Sequence, residues 1–299
     1  MDEKLDLPGL TTAHLGRADY EYSGPSKWWG RLGKLAKWSA LIAGAVVIML
    51  PFLWMLGTSF KPESDVFDYP LRLWPTHPTL SNYVDIWQQL PFARLVLNSV
   101  IFAGGVTVCS VFFDSLAAYA LARLRFPGRR VAFYLVLATL MVPYQVTLIP
   151  VFQLVFRLGW LNTYQGLIVP RATSAFGIFL LRQFFLTVPR ELDEAARLDG
   201  ASEWHIYRRI MLPLAKPALA TLAVLYLMNN WNDFLWPLVI TSSTSHENLP
   251  AGLTLFAGQY VVEHGVLMAG AVITLLPLAV AFLLAQRYFV RGIATTGLK

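Results

Sequence analysis

The feature that most narrows what this chain can fold into is a series of apolar stretches, each long enough to cross a bilayer. A crossing takes roughly 20 residues as an α-helix. Inside hydrocarbon every backbone N–H and C=O must be satisfied within the protein, and helices do this internally. Six such stretches are read, at residues 36–60, 92–121, 131–156, 164–186, 217–241 and 265–288. The predicted fold class is therefore all-α, a polytopic membrane protein of six spans. Charged residues make up 14% of the chain, against about 25% in soluble domains. With the spans removed, no segment is left that could build a separate soluble core. The organisation expected is an N-terminal arm at 1–35 and one transmembrane domain at 36–299.

The positions of lysine and arginine set the orientation. One group of loops carries Lys27, Arg31, Lys34 and Lys37, then Arg123, Arg125, Arg129 and Arg130, then Arg190, Arg197, Arg208, Arg209 and Lys216, and finally Arg287, Arg291 and Lys299. The opposite group holds little beyond Lys61, Arg72, Arg94 and Arg157. Basic loops stay in the cytoplasm, which predicts that both termini are cytoplasmic and that the number of spans is even. The net charge of +6 is thus a topology signal, with anionic lipid headgroups as a secondary reading and no nucleic acid implied. Residues 1–26 are polar and lack an early apolar core, so no cleavable signal peptide is expected there. The lone Cys109 has no disulfide partner within the chain. Pro51, Pro143, Pro150, Pro170, Pro237 and Pro277 fall inside the spans and predict kinks, which neighbouring helices make tolerable. Segments 61–90 and 241–264 are expected outside.

One cytoplasmic loop, 187–216, is long, charged and periodic. Pro189 suits a first helical turn. Glu191, Asp193 and Glu194 place negative charge where a helix N-terminus favours it. Gly200 sits where a left-handed cap would end the helix. Ser202 can cap a second short helix, which Pro213 ends. Two short helices joined at Gly200 are predicted across the cytoplasmic face, with Ala195, Ala196 and Ala201 giving a small-residue surface that another protein can approach.

Glu194-Ala195-Ala196, Gly200 and Leu212-Pro213 resemble the EAA loop of the permease subunits of ABC importers. Ser59-Phe60-Lys61, Asn98-Ser99, Ala117-Ala118-Tyr119-Ala120, Met141-Val142-Pro143, Trp231-Asn232-Asp233-Phe234 and the run Gln286 to Gly292 extend the resemblance to residues 36–299. Together they are similar to the carbohydrate-importer branch, in the manner of the MalG-like member of a maltose-type permease pair. The resemblance implies a MetI-like, type I importer bundle. It also implies a second related permease, two ATPase subunits, an extracytoplasmic substrate-binding protein and a carbohydrate cargo. In that family the loop docks into the ATPase, which assigns Glu194, Ala195, Ala196, Asp199 and Gly200 to coupling. The N-terminal arm lies outside the resemblance, and Gly297-Leu298-Lys299 departs from the glycine-rich tail of the branch.

Polar side chains at bilayer depth mark either a transport path or interhelical hydrogen bonding. Asp114 and Gln145 admit both readings. So does the run Asn229, Asn230, Trp231, Asn232 and Asp233, whose amides and indole suit sugar hydroxyls and a pyranose face, with Trp236 extending the aromatic side. Arg171 is expected to snorkel or to pair with an acid such as Asp233. His14, His77, His205, His246 and His264 lack metal-ligand spacing, and no phosphate-binding Gly-x-x-x-x-Gly-Lys-Ser/Thr loop is present. The chain is therefore expected not to be an enzyme and to bind no cofactor, with ATP and magnesium on the partner ATPase. The rival cargo is glycerol 3-phosphate, which calls for a cationic cavity. A stand-alone secondary transporter would need ion-coupling residues and internal repeats, and a membrane-embedded transferase would need clustered acids or histidines at one interface.

Overall fold

A computed structural model describes residues 27–259 and 263–296. The polar arm through residue 26 and the final Gly297-Leu298-Lys299 lie outside the described residues. So do the side chains of Trp28, Trp29 and the run Gln286 to Gly292. The described residues are helical, without strand. The chain divides into two units, Met1–Phe52 and Leu53–Lys299. The first contains most of helix α1 (Lys27–Ser59), whose apolar side chains, among them Leu41, Val47 and Ile48, are exposed. That exposure suits a solvent of lipid tails.

The second unit is organised around α3 (Phe92–Arg123), the 32-residue helix that runs through its middle. Three buried clusters lie along it. At one end Phe92 and Leu95 pack with Ile86 of α2 (Ser81–Gln89), Leu249 and Leu253 of α13 (Leu249–Gln259), and Val266 of α14 (His264–Thr296). In the middle Phe102 and Val106 meet Val155 of α5 (Tyr144–Arg157), Leu167 of α6 (Tyr164–Ile168), and Trp236 and Ile240 of α12 (Leu235–Ile240). At the other end Ala118, Tyr119 and Ala122 pack against Leu181 and Phe185 of α7 (Ala175–Thr187), Ile206 of α9 (Glu203–Ile206), and Leu222 and Tyr226 of α11 (Lys216–Trp231). Small residues at 118 and 122 let these backbones approach closely. On the outer faces Tyr134 and Leu135 of α4 (Arg129–Thr139), Val146 and Ile149 of α5, and Leu276 and Val280 of α14 are exposed.

Three expected spans are not continuous helices. The stretch 131–156 is two helices, α4 and α5, bent by 100° at the break 140–143. Pro143 has no N–H and disfavours helical backbone at Val142, so the helix restarts after it. The stretch 164–186 is α6, a 3-10 turn Val169–Arg171, a gap at 172–174, and α7 of 13 residues. The stretch 217–241 breaks at 232–234 between α11 and α12. Three described helices are long and apolar enough to cross a membrane, or five when two bent pairs, α4 with α5 and Glu203–Leu214 with Lys216–Trp231 (bent by 77°), each count as one span. Segment 241–264 carries α13, whose N-terminus Asn248 caps by accepting from Ala251 N at 3.1 Å.

Candidate functional site

Between α7 and α11 the loop 187–216 folds as expected into two short helical pieces. The first, α8 (Glu191–Leu198), has three acids in its opening turn, where they complement the helix dipole. It closes with the paired bonds of a Schellman motif. Ala201 N donates to Ala196 O at 2.9 Å and Gly200 N to Arg197 O at 3.1 Å. Closure needs a left-handed residue, and Gly200 supplies φ +80°. Ser202 then caps α9, its hydroxyl accepting from His205 N at 3.3 Å. The helical path continues through a π-helical turn, Tyr207–Met211, and the short α10 (Leu212–Leu214), which contains Pro213.

Ion pairs and hydrogen bonds hold this loop to α3. Arg197 bridges the turn to Glu203 at 2.7 Å, and Tyr119 of α3 donates to the same carboxylate at 2.7 Å. Arg197, then Tyr119, holds Glu203 below the usual carboxylate range. Deeper in, Arg123 pairs with Asp193 at 3.2 Å and donates to Val188 O at 2.6 Å and to Phe185 O. One guanidinium thus ties the end of α7 to the start of α8. Burial pushes the Asp193 carboxyl up, against the opposing pull of Arg123 and Arg197. Arg123 Nε and Asp193 Oδ1 are buried without a hydrogen-bond partner among the described residues. The pair is therefore a positional constraint more than a source of stability. In the sequence Arg123 reads as a topology charge and Tyr119 as part of a motif. Their common role in fixing the loop depends on contacts 62–84 residues apart in sequence.

The opposite face of the loop is exposed. Glu194, Ala195, Asp199 and Gly200 are exposed, and Ala196 is half-buried against the core. Leu198 is 90% exposed and Trp204 54%. An apolar tip ringed by acids, on a support pinned from behind, has the character of a docking surface.

The second polar assembly lies where the broken helices meet. Asp114 of α3 is fully buried. It accepts from Thr173 Oγ1 at 2.6 Å, Ser174 N at 2.9 Å and the Tyr226 hydroxyl. The break 172–174 frees backbone groups inside the helix bundle, and this carboxylate satisfies one of them. Of the two readings offered for Asp114, these are the contacts of the structural one. Gly177 lies against the same group, and a Cβ there would meet the Tyr226 hydroxyl and the Asp114 carboxylate.

Arg171 pairs with Asp233 at 2.9 Å, the acid suggested for it, and donates to Asn230 Oδ1 at 3.2 Å. Its guanidinium lies 5.1 Å from the Tyr144 ring centroid. Asp233 also caps α12 through Trp236 N. The run 229–233 is not mid-span but ends α11 and forms the break. It divides by exposure: Asn230 and Trp231 are buried, Asp233 is half-buried, and Asn229 and Asn232 are exposed. Trp231 donates to Thr274 O at 3.0 Å and Trp236 to Leu167 O at 3.0 Å. Trp236 is fully buried, so the expectation that it extends an open aromatic face is corrected. Gln145, in the first turn after Pro143, is exposed.

Comparison with known proteins adds a relationship over most of the chain. The model of the family described as binding-protein-dependent transport system inner membrane component matches residues 111–295. The arabinooligosaccharides transport system permease protein AraQ of Halalkalibacterium halodurans is 37% identical over 258 residues, covering 85% of this chain and 92% of that protein. The sn-glycerol-3-phosphate transport system permease protein UgpE of Yersinia pestis is 37% identical over 261 residues, covering 85% and 93%. A crystal structure of a bacterial ABC transporter involved in the import of the acidic polysaccharide alginate contains a chain that superposes with a TM-score of 0.80 at 26% identity, covering 87% of this chain and 97% of that one.

Proposed function

Because the chain belongs to the family of binding-protein-dependent transport system inner membrane components, we propose that it is a permease subunit of an ATP-driven importer of a sugar or oligosaccharide. The observation that carries this reading is the loop 187–216, which is braced against α3 on one side and presents an exposed apolar tip on the other. A second homologous permease would complete the translocation path. Two ATPase subunits would receive the coupling loops and hold ATP and magnesium, and an extracytoplasmic binding protein would deliver cargo. ATP-driven closure of the ATPases would press on α8, and Arg123 and Glu203 would pass the displacement to α3. The bundles would then rock to face outside, with the breaks at 140–143, 172–174 and 232–234 as joints, and hydrolysis would reset them inward.

Relatives at equal identity are named for an oligosaccharide and for glycerol 3-phosphate. Arg171, the arginine that lies against the run 229–233, is already neutralised by Asp233, which favours the neutral cargo. Asn229 and Asn232 are exposed in this chain, and although the Asn232 amide donates to Met228 O at 3.0 Å, these are the amides of the run open to sugar hydroxyls. The test is ATP turnover by the co-purified complex in liposomes. Sugar-loaded binding protein is expected to stimulate it, and glycerol 3-phosphate is not. Asn229→Ala with Asn232→Ala should lower stimulated turnover several-fold in an intact complex, whereas Asn230→Ala, which removes a partner of Arg171, should weaken assembly. Stimulation by glycerol 3-phosphate alone would overturn the cargo assignment.

The orientation proposed places both termini and residues 125–130 in the cytoplasm of a bacterial or archaeal cell, following the positive-inside rule. In a Cys109→Ser background, a cysteine at position 75 should react with an impermeant thiol reagent in intact cells and one at 127 should not. The reverse pattern would invert the topology.

A further inference from the structure

We infer that the turn joining α3 to α4 is a binding site for the headgroup of an anionic phospholipid. Between Asp114 and Glu191 the chain contains no acidic residue, yet this interval includes Arg125, Arg129, Arg130 and Arg182. Three of these, Arg125, Arg129 and Arg130, line one open cleft of about 420 Å³ together with Phe126, Gly128 and Val131. No carboxylate among the described residues lies within 4.0 Å of any of the three. Arg129 donates one N–H to Leu124 O at 2.8 Å, which orients the group without neutralising it. Arg182 adds a fourth charge near Arg129. It is held over the Phe133 ring at 3.8 Å and bonded to Leu121 O at 3.3 Å.

Like charges brought this close repel unless an anion joins them. Arg129 and Arg130 also open α4, the end of a helix where positive charge is unfavourable, and no acid sits in that turn to offset them. A phosphodiester would relieve both costs, accepting from two or three guanidinium groups at once.

What selects a lipid over a soluble anion is the surface leading away from the cleft. Phe126, Val131, Tyr134 and Leu135 are 41–65% exposed and follow the cleft along the start of α4. They form an apolar and aromatic flank beside the charged pocket, as acyl chains beneath a headgroup require. The other cytoplasmic basic cluster differs in this respect. Arg197 is engaged by Glu203 and Arg123 by Asp193, so its charge is already matched.

The experiment is native mass spectrometry of the full chain, purified in detergent and titrated with phosphatidylglycerol or phosphatidylcholine of identical acyl chains. The expected result is a preference for phosphatidylglycerol that falls by on the order of tenfold or more in the triple variant Arg125→Gln, Arg129→Gln, Arg130→Gln, given the attraction of each basic residue to an anionic surface. Arg157→Gln, an exposed arginine away from the cleft, serves as the control and should keep the full preference. Thermal melting of the triple variant, unchanged within a few degrees, separates lost binding from lost folding. An undiminished preference in a folded triple variant would overturn the site. Displacement of the lipid by equimolar inorganic phosphate would overturn the lipid assignment in favour of a soluble anion.

Discussion

Gly200→Asp and Glu194→Lys are each expected to reach the membrane in normal amount and to abolish uptake. At Gly200 the cost within the chain is small. The site is open, with nothing within 4 Å of an added Cβ, so the penalty is that of a side chain at φ +80°, roughly 1 kcal/mol or more. That is too little to prevent insertion of long apolar helices. The functional cost is larger, because a new charge appears at the tip that the proposed ATPase partner would cover. Glu194→Lys removes an acid from the first turn of α8 and puts a cation at the positive end of its dipole. Gly200→Asn separates the two effects. Asparagine has nearly the shape of aspartate, tolerates the left-handed region and carries no charge, so it should retain most uptake. Uptake, ATPase co-purification and liposome turnover read the outcome. Wild-type uptake by both charged variants at wild-type expression would remove the coupling assignment.

The largest stability effect is expected at Arg123. Arg123→Met leaves the Asp193 carboxylate, 2% exposed, without its cation, and strips donors from Phe185 O and Val188 O. Breaking a buried pair from one side costs about 3–5 kcal/mol. The purified variant should melt well below wild type and lose coupling, since α7 and α8 are no longer tied to α3. Adding Asp193→Leu removes the stranded charge and should recover a substantial part of the thermal stability. It should not recover transport, because the tie across the loop is still absent. A single Arg123→Met variant that melts with wild type would show that the pair fixes nothing.

Much of this protein was legible as text because bilayer and water impose one-dimensional rules. Apolar runs of bilayer length, arginine asymmetry between loops, and the pattern of first-turn acids, Gly200 and Ser202 around α8 and α9 act over a few residues. They specified the helical class and the loop. Site assignment was harder where a side chain had to choose between neighbours. Within 229–233 the amides look alike in sequence. In the fold Asn230 meets Arg171 from another element, while Asn229 and Asn232 face outward.

Several of the motifs that carry the family resemblance prove to be joints. Asn98 donates to Ser245 O and Glu247 O, and Ser99 Oγ accepts from Leu249 N, so this pair anchors the segment before α13 to α3. Asn82 donates to Ser59 O and Lys61 O and closes the end of α1. Met141-Val142-Pro143 is the 100° bend. The sequence alone determined where the chain is apolar, where it is basic and which short segments can cap or turn, since these depend on neighbours in the chain and on the solvent. Only the tertiary structure decided where the spans break, that Asp114 serves a backbone gap and Trp236 a core, and that Arg123 and Glu203 brace the loop 187–216. A broken helix at membrane depth is stable only when distant residues satisfy the backbone groups it frees, and those partners exist only once the helices have packed.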